Sequence, residues 1–187
     1  MNDDEKSLLS QKLDKHASDV YLHDSTGENS IENVVHLTHL PKIVAEIGSD
    51  WSNKSILEMG FGEGVISRAL VGQGMKFELL EGSEELVAHA KTLYGNKLEV
   101  HHSLFEDFSP PRFDSVLALH VLEHVDDPKT IVKKMYSWLK PGGKAIVVVP
   151  NSESLHRRLA VALNLQTHLN TLSKRDKIVG HLEFFSK

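Results

Sequence analysis

From residue 55 onward the chain alternates two hydrophobic rhythms. Short apolar runs, S-I-L-E-M (55–59), K-F-E-L-L (76–80), L-E-V-H-H (98–102), F-D-S-V-L-A-L (113–119) and A-I-V-V-V (145–149), read as strands. Between them, residues 63–71, 83–94 and 128–139 carry apolar positions every three or four residues and read as helices. Ser83 is a suitable N-cap with Glu84 in the first turn, and K-P-G-G (140–143) is expected to end the helix before it. Strand and helix in alternation imply right-handed crossovers and a mostly parallel, doubly wound α/β sheet covered on both faces.

The flanks follow other patterns. Residues 3–17 predict a weakly amphipathic leading helix with Leu8, Leu9 and Leu13, and D-S-T-G-E-N-S (24–30) predicts a loop. From Ile31 to Ile47 apolar residues recur at helical spacing, with Pro41 expected to kink or divide the segment. After Pro150 come a predicted helix over 152–163, bearing Arg157 and Arg158, and a strand-like H-L-E-F-F at 181–185.

Composition narrows the class. A chain of 187 residues without cysteine fits one domain and excludes both a disulfide framework and a thiolate metal site. The net charge of −5 argues against a general nucleic-acid binder, leaving only a local basic patch open. The N-terminus M-N-D-D-E-K lacks the order of a signal peptide, and no apolar run reaches a membrane span. The expectation is a cytoplasmic protein with no membrane contact.

The candidate chemistry begins at E-M-G-F-G-E-G (58–64), where Gly60, Gly62 and Gly64 fall between the first strand and its helix. Glycines there permit a tight turn and a close ligand approach, although three glycines can serve the turn alone. The spacing G-x-G-x-G is not the G-x-G-x-x-G of dinucleotide sites. Glu81 closes the second strand where an acid binding a ribose diol belongs, the alternative being a solvated loop acid. Glu58, beside the glycines, would repel a pyrophosphate but suits a cationic amino group. The ligand read from these acids is S-adenosylmethionine rather than a nicotinamide dinucleotide.

These segments, with F-D-S-V-L-A-L-H-V-L-E-H-V (113–125) and L-K-P-G-G-K-A-I-V-V-V-P-N (139–151), resemble the class I SAM-dependent methyltransferases of small molecules. The likeness extends to the ubiquinone-biosynthesis O-methyltransferases. It implies a Rossmann-like core over residues 51–151, N-terminal helices with a lid over 1–50, and a variable acceptor-recognition segment over 152–187. Such a fold closes with an antiparallel hairpin. This chain stops at Phe185-Ser186-Lys187, so a C-terminal truncation, or completion by a partner subunit, is expected.

The resemblance places Glu58 at the SAM amino group, Gly60, Phe61 and Gly62 against the methionine and ribose, and Glu81 on the ribose diol. Gly82 and Ser83 belong to the same cofactor set. Ser103, Leu104 and Phe105 cover the adenine, Ser103 standing where many relatives carry an acid. His120 lines the methionine and faces the acceptor, and Tyr21 belongs to the lid.

Methyl transfer needs an oriented nucleophile, and an alcohol acceptor also needs a base. His120 is the first candidate, against the reading that it only lines the pocket. His181 is the second catalytic candidate. For His181 and His156, both in the acceptor-recognition segment, a surface or packing role is the favoured reading. In H-V-L-E-H, residues His120, Glu123 and His124 share a face if the segment is helical, and their side chains suit a divalent ion. Ubiquinone-biosynthesis and small-RNA 3′-end methyltransferases use E-x-x-E-H there for a metal, but His120 replaces the first Glu and L-E-H is frequent in metal-free relatives. The expectation is no metal, with these three as the alternative ligands.

The function expected is methyl transfer from S-adenosylmethionine, giving S-adenosylhomocysteine, to a small-molecule acceptor at oxygen rather than nitrogen. An inactive SAM-binding partner protein and a metal-assisted RNA methyltransferase are the alternatives. A homodimer or a completing subunit is the expected partner beyond the acceptor. Arg157 and Arg158 would meet an anionic acceptor or form a solvated helix face.

Overall fold

Near-continuous apolar runs make strands that can be buried on both faces, and the structure uses them so. It is a computed structural model that describes residues 3–22, 29–182 and 184–186. The strands are β1 (Ser55–Met59), β2 (Lys76–Glu81), β3 (Glu99–His102), β4 (Phe113–Leu119) and β5 (Leu139–Val148). They form a sheet in the order β3-β2-β1-β4-β5 with every pairing parallel. β1 lies in the middle, Leu57 standing in register with Glu78 on one side and Val116 on the other. The chain builds outward from β1 through β2 and β3, then returns to lay β4 on the opposite side. That reversal leaves a crevice beyond the carboxyl ends of β1 and β4, where open α/β sheets bind ligands.

The helices are α1 (Asp3–His16, running into a wide turn over Ala17–Leu22), α2 (Asn29–Ile47), α3 (Val65–Leu70), α4 (Glu84–Tyr94), α5 (Pro128–Ser137), α6 (Leu155–Ala162) and α7 (Lys174–Ile178). On one face Ile56, Leu79 and Leu117 pack with Ile43 of α2, Ile66 of α3 and Leu86 of α4. On the other, Leu57, Leu80 and Val116 pack with Ile131 and Met135 of α5 and with Trp138. The doubly wound class is therefore observed. Ser83 caps α4 as its sequence suggests, its Oγ accepting from Leu86 N at 3.3 Å.

Several sequence expectations give way to tertiary contacts. α2 is one helix with Pro41 inside it rather than two, because Ile43 and Ile47 beyond the proline are anchored in the core. K-P-G-G does not separate helix from strand but lies inside β5, where the pairing with β4 shifts register between Phe113 and Ser115. The shift depends on Gly143, whose added Cβ would stand 3.0–3.1 Å from three carbonyl oxygens. The described residues of 181–185 form no strand, and Phe185 makes one isolated parallel bridge to Asn151. Of the expected loop at 24–30, residues 24–28 lie outside the described residues and 29–30 open α2. Among the described residues the sheet has five strands, with β5 at an edge, and no helix is long and apolar enough to cross a membrane.

Candidate functional site

The glycine turn is built around Phe61. Its ring packs edge-on against Tyr94 and His89 in the first core. Gly64 must lack a side chain, since its φ is +67° and an added Cβ would meet that ring at 2.5 Å. With the turn fixed, Phe61 N–H donates to Glu81 Oε2 at 2.8 Å, and Ser83 N–H donates to Glu81 Oε1 at 2.8 Å. Glu81 is thus a buried, backbone-oriented carboxylate and not a solvated loop acid. Burial raises its pKa, against the pull of those N–H groups.

Glu58, at the end of the neighbouring strand, is buried and accepts a hydrogen bond from Ser67 Oγ. Burial, reinforced by the charge of Glu81, pushes its carboxyl up to about 8. Two acids thus sit at the carboxyl ends of β1 and β2, and burial keeps Glu58 protonated at neutral pH.

Both face a cavity of about 390 Å³. Gly60, Phe61 and Gly62 line its floor, with Gly82 and Ser83 beside Glu81. Ser103, Leu104 and Phe105 form one wall. Leu9 and Leu13 of α1, with Tyr21, form another. The α1 wall is fastened: Asp14 Oδ1 accepts from Ser83 Oγ at 2.8 Å, and an added Cβ on Gly82 would meet Leu13 Cδ1 at 2.9 Å.

The remaining wall is rich in imidazole. His120, just past β4, holds a left-handed backbone with φ +56°, which a non-glycine residue adopts at a cost, and its N–H donates to Val148 O at 2.8 Å. Its Nδ1 lies 3.1 Å from Glu123 Oε1, while its buried Nε2 has no hydrogen-bond partner. His36 of α2 stacks on the His120 ring at 5.1 Å with 9° between planes. Burial, then His120, lowers the His36 pKa to about 4. One short turn over Leu122–His124 carries a fully buried Glu123 and a His124 that burial holds neutral, its pKa lowered to about 4. His181 packs edge-on against His124 at 5.0 Å.

Residues 35–186 match the family model described as "Methyltransferase domain". The chain belongs to this methyltransferase family. It is 32% identical over 136 residues to a ubiquinone biosynthesis O-methyltransferase of Xylella fastidiosa, covering 69% of this chain and 53% of that protein. To the protein of the same name from Idiomarina loihiensis it is 36% identical over 97 residues, 49% of this chain and 40% of the relative. The chain thus spans about half the length of the curated relatives it matches. Among solved structures it resembles the DhpI-SAM-HEP complex at 22% identity and a TM-score of 0.58, covering 87% of this chain and 71% of that one, a likeness of fold.

In this methyltransferase domain every residue expected at the cofactor lines the one cavity, and His181 and Tyr21 join them. His156 does not; it is exposed on α6. Neither arginine lines the cavity. Arg157 is buried, donates to Leu169 O, Thr171 O and Asp176 Oδ2, and stacks 3.6 Å over Phe184, while Arg158 pairs with Glu153 at 3.2 Å. The charged side chains lining the cavity, histidines aside, are all acids: Glu58, Glu63, Glu81, Glu106 and Asp126.

The expected helical face of His120, Glu123 and His124 is not what forms. Donor atoms of Glu123, His124 and His181 lie within 4.8 Å of one another, whereas His120 stands outside the group and binds Glu123. Two imidazoles and a carboxylate fit a divalent ion. The other such group, Glu78, Glu99 and His101, is already engaged, Glu78 pairing at 2.6 Å with both Lys76 and His101. Sequence reasoning missed His36 and Asp14, whose partners lie far away in the chain. Only the helical predictions around them hinted that either faced inward.

Proposed function

We propose that this domain binds S-adenosylmethionine in the cavity and transfers its methyl group to an oxygen of a small-molecule acceptor. The observation that carries the reading is the pair of buried acids, Glu58 and Glu81, at adjacent strand ends in one cavity. S-adenosylmethionine supplies a methyl group made electrophilic by its sulfonium. Glu58 meets the ammonium and ionises against it. Glu81 keeps a second lone pair on each oxygen for the ribose hydroxyls while its backbone donors hold it still. Leu104 and Phe105 shield the adenine, and the α1 wall excludes water.

His120 is the proton acceptor. With Glu123 receiving its Nδ1–H, the lone pair stays on Nε2, which has no other partner. The named function of the Xylella and Idiomarina relatives supports oxygen as the atom methylated. The absence of lysine and arginine from the lining among the described residues favours a neutral acceptor over a phosphate or carboxylate.

Calorimetry with S-adenosylhomocysteine and methyl release from labelled S-adenosylmethionine, offered a panel of phenols, alcohols and amines, test the two halves separately. Glu81→Ala should weaken S-adenosylhomocysteine binding about 10–100-fold, the loss of charge-assisted hydrogen bonds. His120→Ala should leave that binding near wild type and lower transfer to a phenol about 10²–10⁴-fold. Wild-type binding by Glu81→Ala, or tight NAD(H) binding, would refute the cofactor assignment.

A further inference from the structure

We infer, on the reading of His120 as the proton acceptor, that His36 is a positioning residue for the transfer. Its ring face fixes the plane of the His120 imidazole, so that Nε2 stays turned to the acceptor. Two elements far apart in the chain meet here. His36 comes from α2 and His120 from the corner after β4, and their rings lie 5.1 Å apart with 9° between planes. Both side chains line the cavity.

His120 needs a second restraint. Its left-handed backbone, at φ +56°, and the bond from its N–H to Val148 O fix where the side chain starts. The contact of Nδ1 with Glu123 Oε1, at 3.1 Å, fixes one corner of the ring. The terminal torsion of a histidine is broad, and a single hydrogen bond tolerates a tilt of about 30°, so that contact alone leaves the plane loose. A flat neighbour in parallel contact takes up the remaining freedom.

α2 is placed to supply that neighbour. His36, Leu40, Ile43 and Ile47 share one face of the helix. Ile43 and Ile47 are buried in the first core and Leu40 packs against it, so the helix is clamped on the side that carries His36. Lys144 of β5 adds a tie farther along, donating to Glu46 O at 2.9 Å. An aliphatic residue would continue this stripe but would offer no flat face. The π face of an imidazole suits its neighbour both before and after that neighbour takes up a proton. Burial, then His120, holds the His36 pKa to about 4, so His36 does not become a second cation beside the first. His39, one turn on, meets the His120 ring at 6.4 Å and 41°, a tilt that does not stack, and it does not line the cavity.

Three replacements separate the stack from other roles. His36→Phe keeps a flat face, His36→Gln keeps a hydrogen-bonding group without a ring, and His36→Ala keeps neither. With a phenol acceptor, His36→Ala and His36→Gln should each lower kcat about 10-fold at unchanged KM, while His36→Phe should stay within about twofold of wild type. S-adenosylhomocysteine binding should be the same in all three. The ring protons of His120, assigned by their absence in His120→Ala, read the stack in the full chain without turnover. Ring current should hold them upfield in the wild type and in His36→Phe, and they should move downfield in the other two variants. Wild-type kcat in His36→Ala, or His120 resonances that do not move, would overturn the inference. Rescue by glutamine but not phenylalanine, or a raised KM at unchanged kcat, would overturn it too and assign His36 to acceptor contact. Far-UV dichroism identifies a variant that fails to fold, and the remaining variants then decide. If the wild type binds S-adenosylhomocysteine but methylates no acceptor of the panel, the proposed transfer fails, and the His120 resonances alone decide the role of His36.

Discussion

Glu58 is a residue whose environment works against its charge until a ligand supplies the counter-ion. Its carboxyl is pushed from 4.5 up to about 8 by burial and then by Glu81. In the unfolded chain it ionises near its ordinary value, so the ligand-free domain loses stability from this group as pH rises from about 4.5 towards 8. An ammonium beside it pulls the proton off. S-adenosylhomocysteine binding at pH 7 should therefore release a proton, seen as an enthalpy that varies with the ionisation heat of the buffer, and the release should fade above pH 8. Glu58→Gln should raise the Tm of the free domain at pH 8 but not at pH 5, while abolishing proton release and weakening binding. A buffer-independent enthalpy at pH 7 would count against this account. The positions of Glu58 and Glu81 were legible because strand ends are legible. The stack on His120 was not, since His36 reaches it from α2 and no local period announces that contact.

At the scale of elements, the site depends on a helix whose only role legible in the sequence was that of a lid, by resemblance. α1 is weakly amphipathic, yet it is tied to the rim of the cofactor cavity. Asp14 Oδ1 accepts from Ser83 Oγ at 2.8 Å and from Glu85 N at 3.3 Å, Lys6 pairs with Asp107 at 2.7 Å, and Leu13 presses on Gly82. We propose that the cofactor enters and leaves past this edge, which then has to lift. Removing the Asp14 bonds, worth about 1 kcal/mol, should speed both association and dissociation of S-adenosylhomocysteine about fivefold, with little change in Kd. Stopped-flow measurement of Asp14→Ala reads both rates, and an effect confined to dissociation would assign Asp14 to ligand contact instead. The strands and the helices between them were readable because each has a clean period and a cap or break at its end. Expectations failed at K-P-G-G and among the described residues of 181–185, where local preference lost to a bulge and a single bridge.

Across the whole molecule, the sheet order converts separated acids into one electrostatic feature. The reversal between β3 and β4 brings the ends of β1, β2 and β4 together, and among the described residues the cavity lining presents four acids besides the protonated Glu58 and no lysine or arginine. The chain's net charge of −5 has the same sign, so the summed field and the local one reinforce each other. S-adenosylmethionine carries one net positive charge, from its sulfonium, whereas S-adenosylhomocysteine carries none. Attraction at a distance should therefore speed the first and not the second, and salt should screen only the first. Raising ionic strength from about 0.01 M to about 0.5 M shortens the screening length from about 30 Å to a few ångströms. Association of S-adenosylmethionine should slow several-fold over that range while that of S-adenosylhomocysteine stays nearly constant. Equal salt dependence for the two would mean that the field of the molecule plays no part in cofactor capture. In that case the acids would act only at contact, in the roles proposed for Glu58 at the ammonium and Glu81 at the ribose.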